Sequence, residues 1–283
     1  MKKTEQRNQK TMNIDKVSTL EAVKMMNEED KTVAYAVEKV LDHIAEAVDL
    51  IVDSFNKGGR LLYIGAGTSG RLGVMDAAEC GPTFGVDFNQ VQGIIAGGYN
   101  CMFKPSENKE DEYEAGVNDC KEFKVSKNDT LVGLSVAGDA RYVLGAIEYA
   151  RSLGAHTVAV TCNEDAKILA VGGDVGIFLD TGPEVITGST RLKAGTAQKM
   201  VCNMLTTISM VKTGKVRENL MVNVQPSNEK LFNRCVRIIR EMVDIPEEVA
   251  REELKNGLSI IQIVDKYKIW YEALLYRPWW WRQ

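Results

Sequence analysis

Short apolar runs alternate along this chain with segments whose apolar residues recur at helical spacing, and this alternation constrains its fold most. The runs have the length and composition of buried strands, and short loops connect them to the helical segments. Such connections favour a parallel sheet covered by helices on both faces. We therefore predict an α/β protein with a doubly wound, five-stranded parallel sheet in the flavodoxin-like order 2-1-3-4-5. The predicted strands are Arg60–Ile64, Val91–Ala96, Thr130–Leu134, His156–Thr161 and Val175–Leu179.

Helical patterns also flank this predicted sheet. Apolar residues recur at helical spacing over Ser18–Lys57, and strand patterns stop after Lys212. We predict an N-terminal arm and helices in residues 1–50, the sheet domain in residues 51–212 and a C-terminal helical region in residues 213–283. Three of the four tryptophans lie in the tail YRPWWWRQ, which we expect to pack on a neighbouring surface.

The helices predicted around the sheet differ in character. One follows a glycine turn and runs through Met75, and a charged helix covers Glu107–Phe123. Thr190–Val211 is a long, mostly apolar helix that we expect to be buried.

Composition excludes several classes of protein. The formal net charge of −4 predicts no nucleic-acid partner, because that requires a dense basic face. The six cysteines are far apart without any C-x-x-C pair, which argues against structural zinc and a disulfide framework. The sequence has no run of about 18 apolar residues and no apolar stretch at its start, so neither a membrane span nor a secretory signal is expected. We predict a cytoplasmic protein that binds no metal.

The turn YIGAGTSGRLG, at Tyr63–Gly73, follows the first predicted strand and contains G-x-G-x-x-G. Glycines let the backbone approach a phosphate, and the start of the next helix supplies unpaired N–H groups. A dinucleotide site would also need an acid after the second strand, where the sequence is Ala96-Gly97-Gly98-Tyr99. Thr68 and Ser69 offer hydroxyls to a compact phosphate monoester. A sugar phosphate is favoured, and a dinucleotide or a purely structural turn stays open.

Two more loops offer groups that bind anions. Ser135–Asp139 follows the third strand, and in the predicted order it faces the same crevice as the glycine turn. Ser189–Lys193 places hydroxyls and two cations where the long helix begins, although a capped helix with solvated basic residues explains it equally well. Glu184 could position a sugar hydroxyl or form a structural ion pair with Arg191 or Lys193.

Three stretches resemble the N-acetylmuramic acid 6-phosphate etherases, a family of the sugar-isomerase (SIS) fold. They are YIGAGTSGRLGVMDAAECGPTFG, GPEVITGSTRLKAGTAQKMVCNML and NLMVNVQPSNEKL, and the resemblance runs from about Thr4 to about Arg240. It implies cleavage of the D-lactyl ether of the phosphorylated sugar by elimination and hydration, without a cofactor, in the recycling of peptidoglycan amino sugars. It also implies a homodimer in which both subunits shape the site.

The resemblance assigns roles to individual residues. The proton donor of the family matches Glu79 in Asp76–Cys80, and its second catalytic glutamate matches Glu110. Without the resemblance, Glu79 reads as a surface residue and Glu110 as part of a solvated helix face. The residues predicted to bind substrate are Gly67, Thr68, Ser69, Gly70, Arg71, Ser135, Gly138, Glu184, Ser189, Thr190, Arg191 and Lys193.

The chain departs from the etherase pattern in the loop Ser135–Arg141. That pattern resembles A-A-S-G-R-T-P-Y-V, and here Ala137, Asp139 and Ala140 replace a serine, an arginine and a threonine. An anion has replaced a cation, so phosphate affinity is expected to fall. The altered loop is similar to that of the glucokinase regulatory proteins, which makes a non-catalytic sugar-phosphate sensor the alternative. The region after Met242 is also expected to differ from the etherases.

Overall fold

The structure is a computed structural model that describes residues 1–105, 108–171 and 173–275. Two compact units make up the chain. The first comprises residues 1–79 and 87–209, and the second comprises residues 80–86 and the chain from Met210 onward. The tryptophan-rich tail, for which we predict packing on a neighbouring surface, lies outside the described residues.

A five-stranded sheet forms the centre of the first unit. Its strand order is β2-β1-β3-β4-β5 and every pairing is parallel, so the predicted topology is confirmed. Gly65 pairs with Ile95 on one side and with Leu134 on the other, so three strands end at the same level. The strands are β1 (Leu61–Gly65), β2 (Val91–Ile95), β3 (Thr130–Leu134), β4 (His156–Thr161) and β5 (Val175–Phe178).

Helices cover both faces of this sheet. The helix α6 packs on β1, β3 and β4, and α3 packs on β1, β3, β4 and β5. Every residue of β1 and β3 is buried, as in parallel sheets with helices on both faces. The helices are α1 (Thr19–Asp30), α2 (Thr32–Glu38), α3 (Leu41–Asn56), α4 (Gly67–Phe84), α5 (Tyr113–Glu122), α6 (Arg141–Ser152), α7 (Lys167–Ala170) and α8 (Lys193–Lys212).

The N-terminal segment is anchored to the first unit. It forms two 3₁₀ helices, Lys3–Glu5 and Gln9–Thr11, in which Thr4 and Thr11 are buried. Thr11 Oγ1 donates a hydrogen bond to the Val185 carbonyl oxygen at 2.8 Å. Thr4 Oγ1 also accepts a hydrogen bond from Asn163 Nδ2 at 3.2 Å, so both buried hydroxyls of this polar segment are bonded to the first unit.

The predicted helix Glu107–Phe123 is wrong in its first part. The helix α5 begins only at Tyr113, and Lys109–Asp111 form a 3₁₀ turn after Asn108, whose φ is 64°. A continuous helix would place Glu110 and Glu114 at i and i+4, where like charges repel. Glu110 is therefore held by a turn and does not belong to a solvated helix face.

The predicted end of the first helix after the glycine turn is also wrong. The helix α4 does not stop at Met75 but continues to Phe84, with Pro82 inside it. Glu79 consequently lies within the helix.

The second unit has its own apolar core. The helices α9 (Glu229–Met242), α10 (Glu247–Lys255) and α11 (Ile260–Leu275) contribute buried residues to it, including Ile239, Leu254 and Ile263. A short antiparallel pair, β6 (Val216–Arg217) and β7 (Leu220–Met221), precedes them and was not predicted. Strands of two residues are too short to show an alternating pattern. Among the described helices, none has the length and apolarity needed to cross a membrane.

The buried carboxyl group of Asp76 connects α4 to α8 and to β1. Asp76 accepts hydrogen bonds from Asn203 Nδ2 at 2.6 Å and from Tyr63 Oη at 3.1 Å. Burial raises the pKa of Asp76, and the hydrogen bonds and Lys199 oppose this rise only in part. The folded protein therefore holds this proton more tightly than the unfolded chain does. The stabilising contribution of Asp76 is complete below pH 3.8 and is lost as the pH rises through the folded pKa.

Asp76→Asn is expected to make the protein more stable at pH 7 and to leave its stability nearly unchanged near pH 4. Asparagine keeps the bond from Asn203, and its Nδ2 can donate to Tyr63 Oη, which lies 3.1 Å from the Cys202 carbonyl oxygen. The Tm at pH 7 should rise by a few degrees, because about 1 kcal/mol moves the Tm of a protein of this size by about 2–4 °C. Scanning calorimetry from pH 4 to 8 measures it. A variant that is less stable at every pH would contradict this account of Asp76.

Candidate functional site

The turn between β1 and α4 brings backbone and side-chain donors to the end of the sheet. Gly67 has a φ of 54°, which favours glycine, and it begins α4. A Cβ at Gly70 would lie 2.5 Å from the Gly65 carbonyl oxygen, so only glycine permits this close crossing. The first N–H groups of α4 have no partner within the helix and carry its positive dipole end. This end of α4 suits an anion.

A cleft of about 320 Å³ lies where the chain leaves β1 and β3, and we call it the switch-point cleft. The strand order predicts this meeting of the two loops. Four hydroxyl-bearing residues line it: Thr68, Ser69, Ser135 and Thr190. Its other lining residues are Glu5, Ala66, Glu110, Asp111, Leu134, Val136, Ala137, Asp139 and Ala140.

A second cleft of about 350 Å³, the side cleft, shares Ala66 and Glu110 with the first. Gly67 and Arg71 line it, as do Ala96, Cys101, Pro105, Asn108 and Lys109. Arg71 does not present a free guanidinium there, because it donates to the carbonyl oxygens of Cys101 at 2.6 Å and Met102 at 3.0 Å. Glu110 is exposed and lines both clefts, so its carboxylate can reach a ligand that extends from one into the other.

The loop after β3 is held rigidly by its neighbours. Gly138, with a φ of 72°, donates its N–H to Ser135 Oγ at 3.0 Å. The Val136 carbonyl oxygen accepts from Thr161 Oγ1 at 3.0 Å and from Asn163 Nδ2 at 2.9 Å. Gly138 lines neither cleft and shapes the loop by these bonds. Two residues of this loop were predicted to bind substrate, and of these Ser135 lines the switch-point cleft.

Asp139, which replaces an arginine of the etherase pattern in this loop, has a cationic partner from the N-terminal segment. Lys2 forms an ion pair with Asp139 and also donates to the Ala137 carbonyl oxygen at 2.6 Å. Burial would raise the pKa of Asp139, but the bonds from Lys2 and from the Lys167 N–H outweigh it and lower the pKa. The charge that opposes a bound anion is thus compensated within the chain.

Two predicted binding residues at the start of α8 have partners inside the protein. Glu184 is fully buried and accepts from the N–H groups of Lys193 at 2.9 Å and Ala194 at 3.0 Å. Burial raises the pKa of Glu184, and these bonds oppose the rise. Lys193 is also buried and donates to Glu29 Oε2 at 2.7 Å. Glu184 therefore caps α8, and neither residue lines the two clefts.

The remaining predicted residues near α8 differ in their placement. Thr190 lines the switch-point cleft. Ser189 is half-buried and donates its N–H to the Ile186 carbonyl oxygen at 3.0 Å, and Arg191 is exposed. Neither Ser189 nor Arg191 lines the two clefts, and among the described residues lining the switch-point cleft none is cationic.

Glu79 is exposed and does not line either cleft of this chain. It lies ten residues beyond Ser69 in α4, which corresponds to about 15 Å along the helix axis. Within one chain, therefore, Glu110 lines the switch-point cleft and Glu79 does not.

Sequence reasoning missed several residues near these clefts. Glu5 and Asp111 line the switch-point cleft, and Ser69 Oγ donates to Gln198 Oε1 at 2.8 Å. Glu5 carried no signal because it stands in a polar segment far from the glycine turn. Within the described residues, no group of three or more His, Cys, Asp or Glu is arranged to hold a metal ion.

Family models match most of the chain. The N-terminal SIS domain of glucokinase regulatory protein matches residues 43–151, and the SIS domain matches residues 121–208. The C-terminal lid domain of glucokinase regulatory protein matches residues 218–267. This last match includes residues 243–267, which lie in the region after Met242 that was expected to differ from the etherases.

Similar proteins are found in several bacteria. A Clostridium botulinum (strain Langeland) protein named N-acetylmuramic acid 6-phosphate etherase is 54% identical, over 94% of this chain and 90% of its own length. A Bacillus thuringiensis protein of the same name is 51% identical, over 90% of this chain and 86% of its own length. A solved phosphoheptose isomerase from Neisseria gonorrhoeae superposes with a TM-score of 0.51 at 18% identity, covering 68% of this chain and 98% of that chain. The last similarity concerns the fold.

Proposed function

Because the chain belongs to the N-acetylmuramic acid 6-phosphate etherase family, we propose that it cleaves N-acetylmuramic acid 6-phosphate to N-acetylglucosamine 6-phosphate and D-lactate. The identity of 54% over 94% of the chain carries this proposal. The reaction is that of a carbon–oxygen lyase, and we place it in the cytoplasm, in the recycling of peptidoglycan amino sugars.

We propose that the sugar phosphate binds in the switch-point cleft. The phosphate accepts hydrogen bonds from the hydroxyls of Thr68, Ser69, Ser135 and Thr190 and from the first N–H groups of α4. No cation among the described lining residues is needed, because a helix N-terminus and hydroxyls together satisfy an anion. Glu184 and Lys193 act indirectly by fixing the start of α8 next to Thr190.

The proposed chemistry requires one base and one acid. In the ring-opened sugar the aldehyde at C1 makes the C2 proton acidic, and the Glu110 carboxylate removes it. The C3–O bond of the lactyl ether then breaks, and Glu79 protonates the departing oxygen to give D-lactate. Water adds to C3 of the unsaturated aldehyde and C2 regains a proton, which completes N-acetylglucosamine 6-phosphate. No redox partner is involved.

We propose that Glu79 acts in the cleft of a partner subunit, so that the site is completed in a homodimer. Glu79 lies about 15 Å along α4 from Ser69, too far for one chain to place it beside the ether while Ser69 binds the phosphate. A two-fold dimer presents the same helix to both sites, so each site can gain one glutamate from its neighbour. The exposure of Glu79 in the single chain is compatible with this arrangement.

A heterodimer of a Glu79→Gln subunit and a Glu110→Gln subunit is expected to recover about half of the wild-type turnover. One of its two sites then contains both glutamates, and the other contains neither. Co-expression with two different affinity tags isolates this species, and D-lactate release is measured against the two inactive homodimers. A heterodimer as inactive as its parents, or a monomeric protein, would contradict the shared site.

Lys2→Met is expected to weaken binding of N-acetylglucosamine 6-phosphate a few-fold. Without Lys2 the charge of Asp139 faces the phosphate uncompensated, and pairs of this exposure contribute about 0.2–1 kcal/mol. The effect should shrink at high salt and disappear in the Asp139→Asn background. Lys3→Met is the matched control, since Lys3 pairs with Asp180, which lies outside the cleft lining. Equal effects of both lysines in titration calorimetry would contradict this role.

Oxygen-18 labelling tests the proposed reaction. Turnover in labelled water is expected to place a label at C3 of N-acetylglucosamine 6-phosphate and none in D-lactate, because the bond broken is C3–O and the new C3 hydroxyl comes from water. Label in D-lactate would contradict elimination and hydration. Tight binding of the phosphosugar with no release of D-lactate would favour the regulator that the glucokinase regulatory protein models suggest.

A further inference from the structure

A buried glutamine lies directly beneath the switch-point cleft. Gln198 of α8 is fully buried, and its Oε1 accepts a hydrogen bond from Ser69 Oγ at 2.8 Å. The Nε2 of the same amide has no hydrogen-bond partner among the described residues. A primary amide nitrogen carries two donors, and leaving both unpaired inside a protein costs free energy. The residue is thus held in an orientation that satisfies only one end of its amide.

This orientation gives Ser69 the wrong polarity for an anion. A hydroxyl has a single proton, and in this arrangement the proton of Ser69 points at Gln198. Ser69 lines the switch-point cleft, so it presents only lone pairs to a ligand there. Phosphate oxygens of a dianion are acceptors. Two acceptors that face each other repel, and Ser69 cannot assist binding until its proton turns.

We propose that Gln198 is a positioning residue that converts Ser69 from an acceptor into a donor when phosphate binds. The side-chain amide of Gln198 makes half a turn about the Cγ–Cδ bond, which exchanges Oε1 and Nε2. Nε2 then donates a hydrogen bond to Ser69 Oγ. The proton of Ser69 then points into the cleft and is donated to a phosphate oxygen. This inference rests on the proposed function, because it requires the phosphate of the substrate to lie in the switch-point cleft.

The rotation improves the hydrogen bonding on both sides of Ser69. The two ends of an amide have nearly the same size, so the turn needs no repacking around Gln198. One of the two orphaned N–H groups gains an acceptor and the other stays unpaired, while the carbonyl oxygen loses its donor; proteins tolerate an unpaired carbonyl oxygen better than an unpaired N–H. The new bond to phosphate is charge-assisted and therefore stronger than the bond it replaces. The ligand thus supplies the free energy that reorients the pair.

A double-mutant cycle tests the proposal, with the dissociation constant of N-acetylglucosamine 6-phosphate as its readout. Ser69→Ala is expected to weaken binding about tenfold, because the bond to phosphate is lost. Gln198→Met is expected to weaken it only a few-fold, because the Ser69 hydroxyl remains and loses only the donor that points its proton at the phosphate. The double variant should bind within about twofold of Ser69→Ala alone, because Gln198 acts only through Ser69. Unphosphorylated N-acetylglucosamine should bind all four proteins equally. Gln198→Met should keep the wild-type Tm, since an apolar side chain of similar shape removes the orphaned donor.

The results distinguish a failure of the Gln198 proposal from a failure of the proposed function. If Gln198→Met weakens binding by the same factor with and without Ser69, Gln198 has only a structural role and the proposal fails while the proposed function stands. If the wild-type protein binds neither N-acetylglucosamine 6-phosphate nor inorganic phosphate, the proposed function fails and takes this inference with it. Gln198→Leu provides a second variant with the same expected result should Gln198→Met not fold.

Discussion

Replacing Glu110 by glutamine is expected to slow D-lactate release from N-acetylmuramic acid 6-phosphate by about 10²- to 10⁴-fold, the usual contribution of a positioned general base. Glutamine has the same shape but cannot accept the C2 proton. The dissociation constant of N-acetylglucosamine 6-phosphate should stay within a few-fold of the wild-type value, because the phosphate contacts remain. Steady-state kinetics and titration calorimetry separate the two effects.

Glu114→Gln is the matched control for Glu110. Glu114 belongs to the same acidic run, lies in the first turn of α5 and does not line either cleft. Its replacement should leave turnover unchanged. A loss of less than about tenfold for Glu110→Gln, or an equal loss for Glu114→Gln, would contradict the assignment of the base.

Exchange of the C2 hydrogen distinguishes the base from the acid. In deuterated water Glu79→Gln should still exchange the C2 hydrogen of the sugar while releasing no D-lactate, because proton removal needs only Glu110. Glu110→Gln should lose both activities. Nuclear magnetic resonance of the C2 position measures the exchange, and the opposite pattern would reverse the two roles.

Glu29→Gln is expected to destabilise the folded protein by about 3–5 kcal/mol, because it leaves a buried charge without its partner. Lys193 is 2% exposed and Glu29 is 4% exposed, and their charged atoms lie 2.7 Å apart. Asn8 and Lys10 complete the group around Glu29, at 2.8 Å and 3.0 Å. Thermal denaturation should show a fall in Tm of roughly 6–20 °C for a chain of this size.

The neighbouring residue provides the control. Glu28 pairs with Lys31 on the surface, where both side chains are more than half exposed, so Glu28→Gln should cost at most about 1 kcal/mol. Adding Lys193→Met to Glu29→Gln should restore part of the stability, because no unpaired buried charge then remains. Equal losses for Glu28→Gln and Glu29→Gln would contradict the central role of the buried pair.

The ion pair between Glu29 and Lys193 also predicts how the stability of the folded protein depends on pH. Burial would raise the pKa of Glu29, but hydrogen bonds from Lys193, Asn8 and Lys10 outweigh it and lower the pKa to about 2. The folded state therefore binds this proton less readily than the unfolded chain. Its stabilising contribution is complete above pH 4.5 and is lost as the pH falls towards about 2. Glu29→Gln should remove this part of the acid dependence.

The sheet was predictable because its signals are local. Apolar runs of strand length, separated by helical segments, set the five strands and their order, and the observed bounds differ from the prediction by at most one residue at either end. The start of α5 was not predictable from charge density, since repulsion among acids along one helix face favours the 3₁₀ turn that holds Glu110. The pair β6–β7 is too short to leave a pattern.

The candidate site was predictable where its residues follow a strand directly. Thr68 and Ser69 lie at the start of α4, just after β1, and Ser135 directly follows β3; all three line the switch-point cleft. Partners distant in sequence could not be found in this way. Lys193 meets Glu29 from 164 residues away, and Lys2 meets Asp139 from 137 residues away. No local pattern encodes such contacts, so a buried ion pair looked like a binding lysine.

The most direct test of the account is the amount of D-lactate formed when a trace of the purified protein is incubated with excess N-acetylmuramic acid 6-phosphate. Many equivalents of D-lactate per subunit are expected, matched one for one by N-acetylglucosamine 6-phosphate. A protein that binds the phosphosugar yet forms no D-lactate, even at stoichiometric concentration, would contradict it.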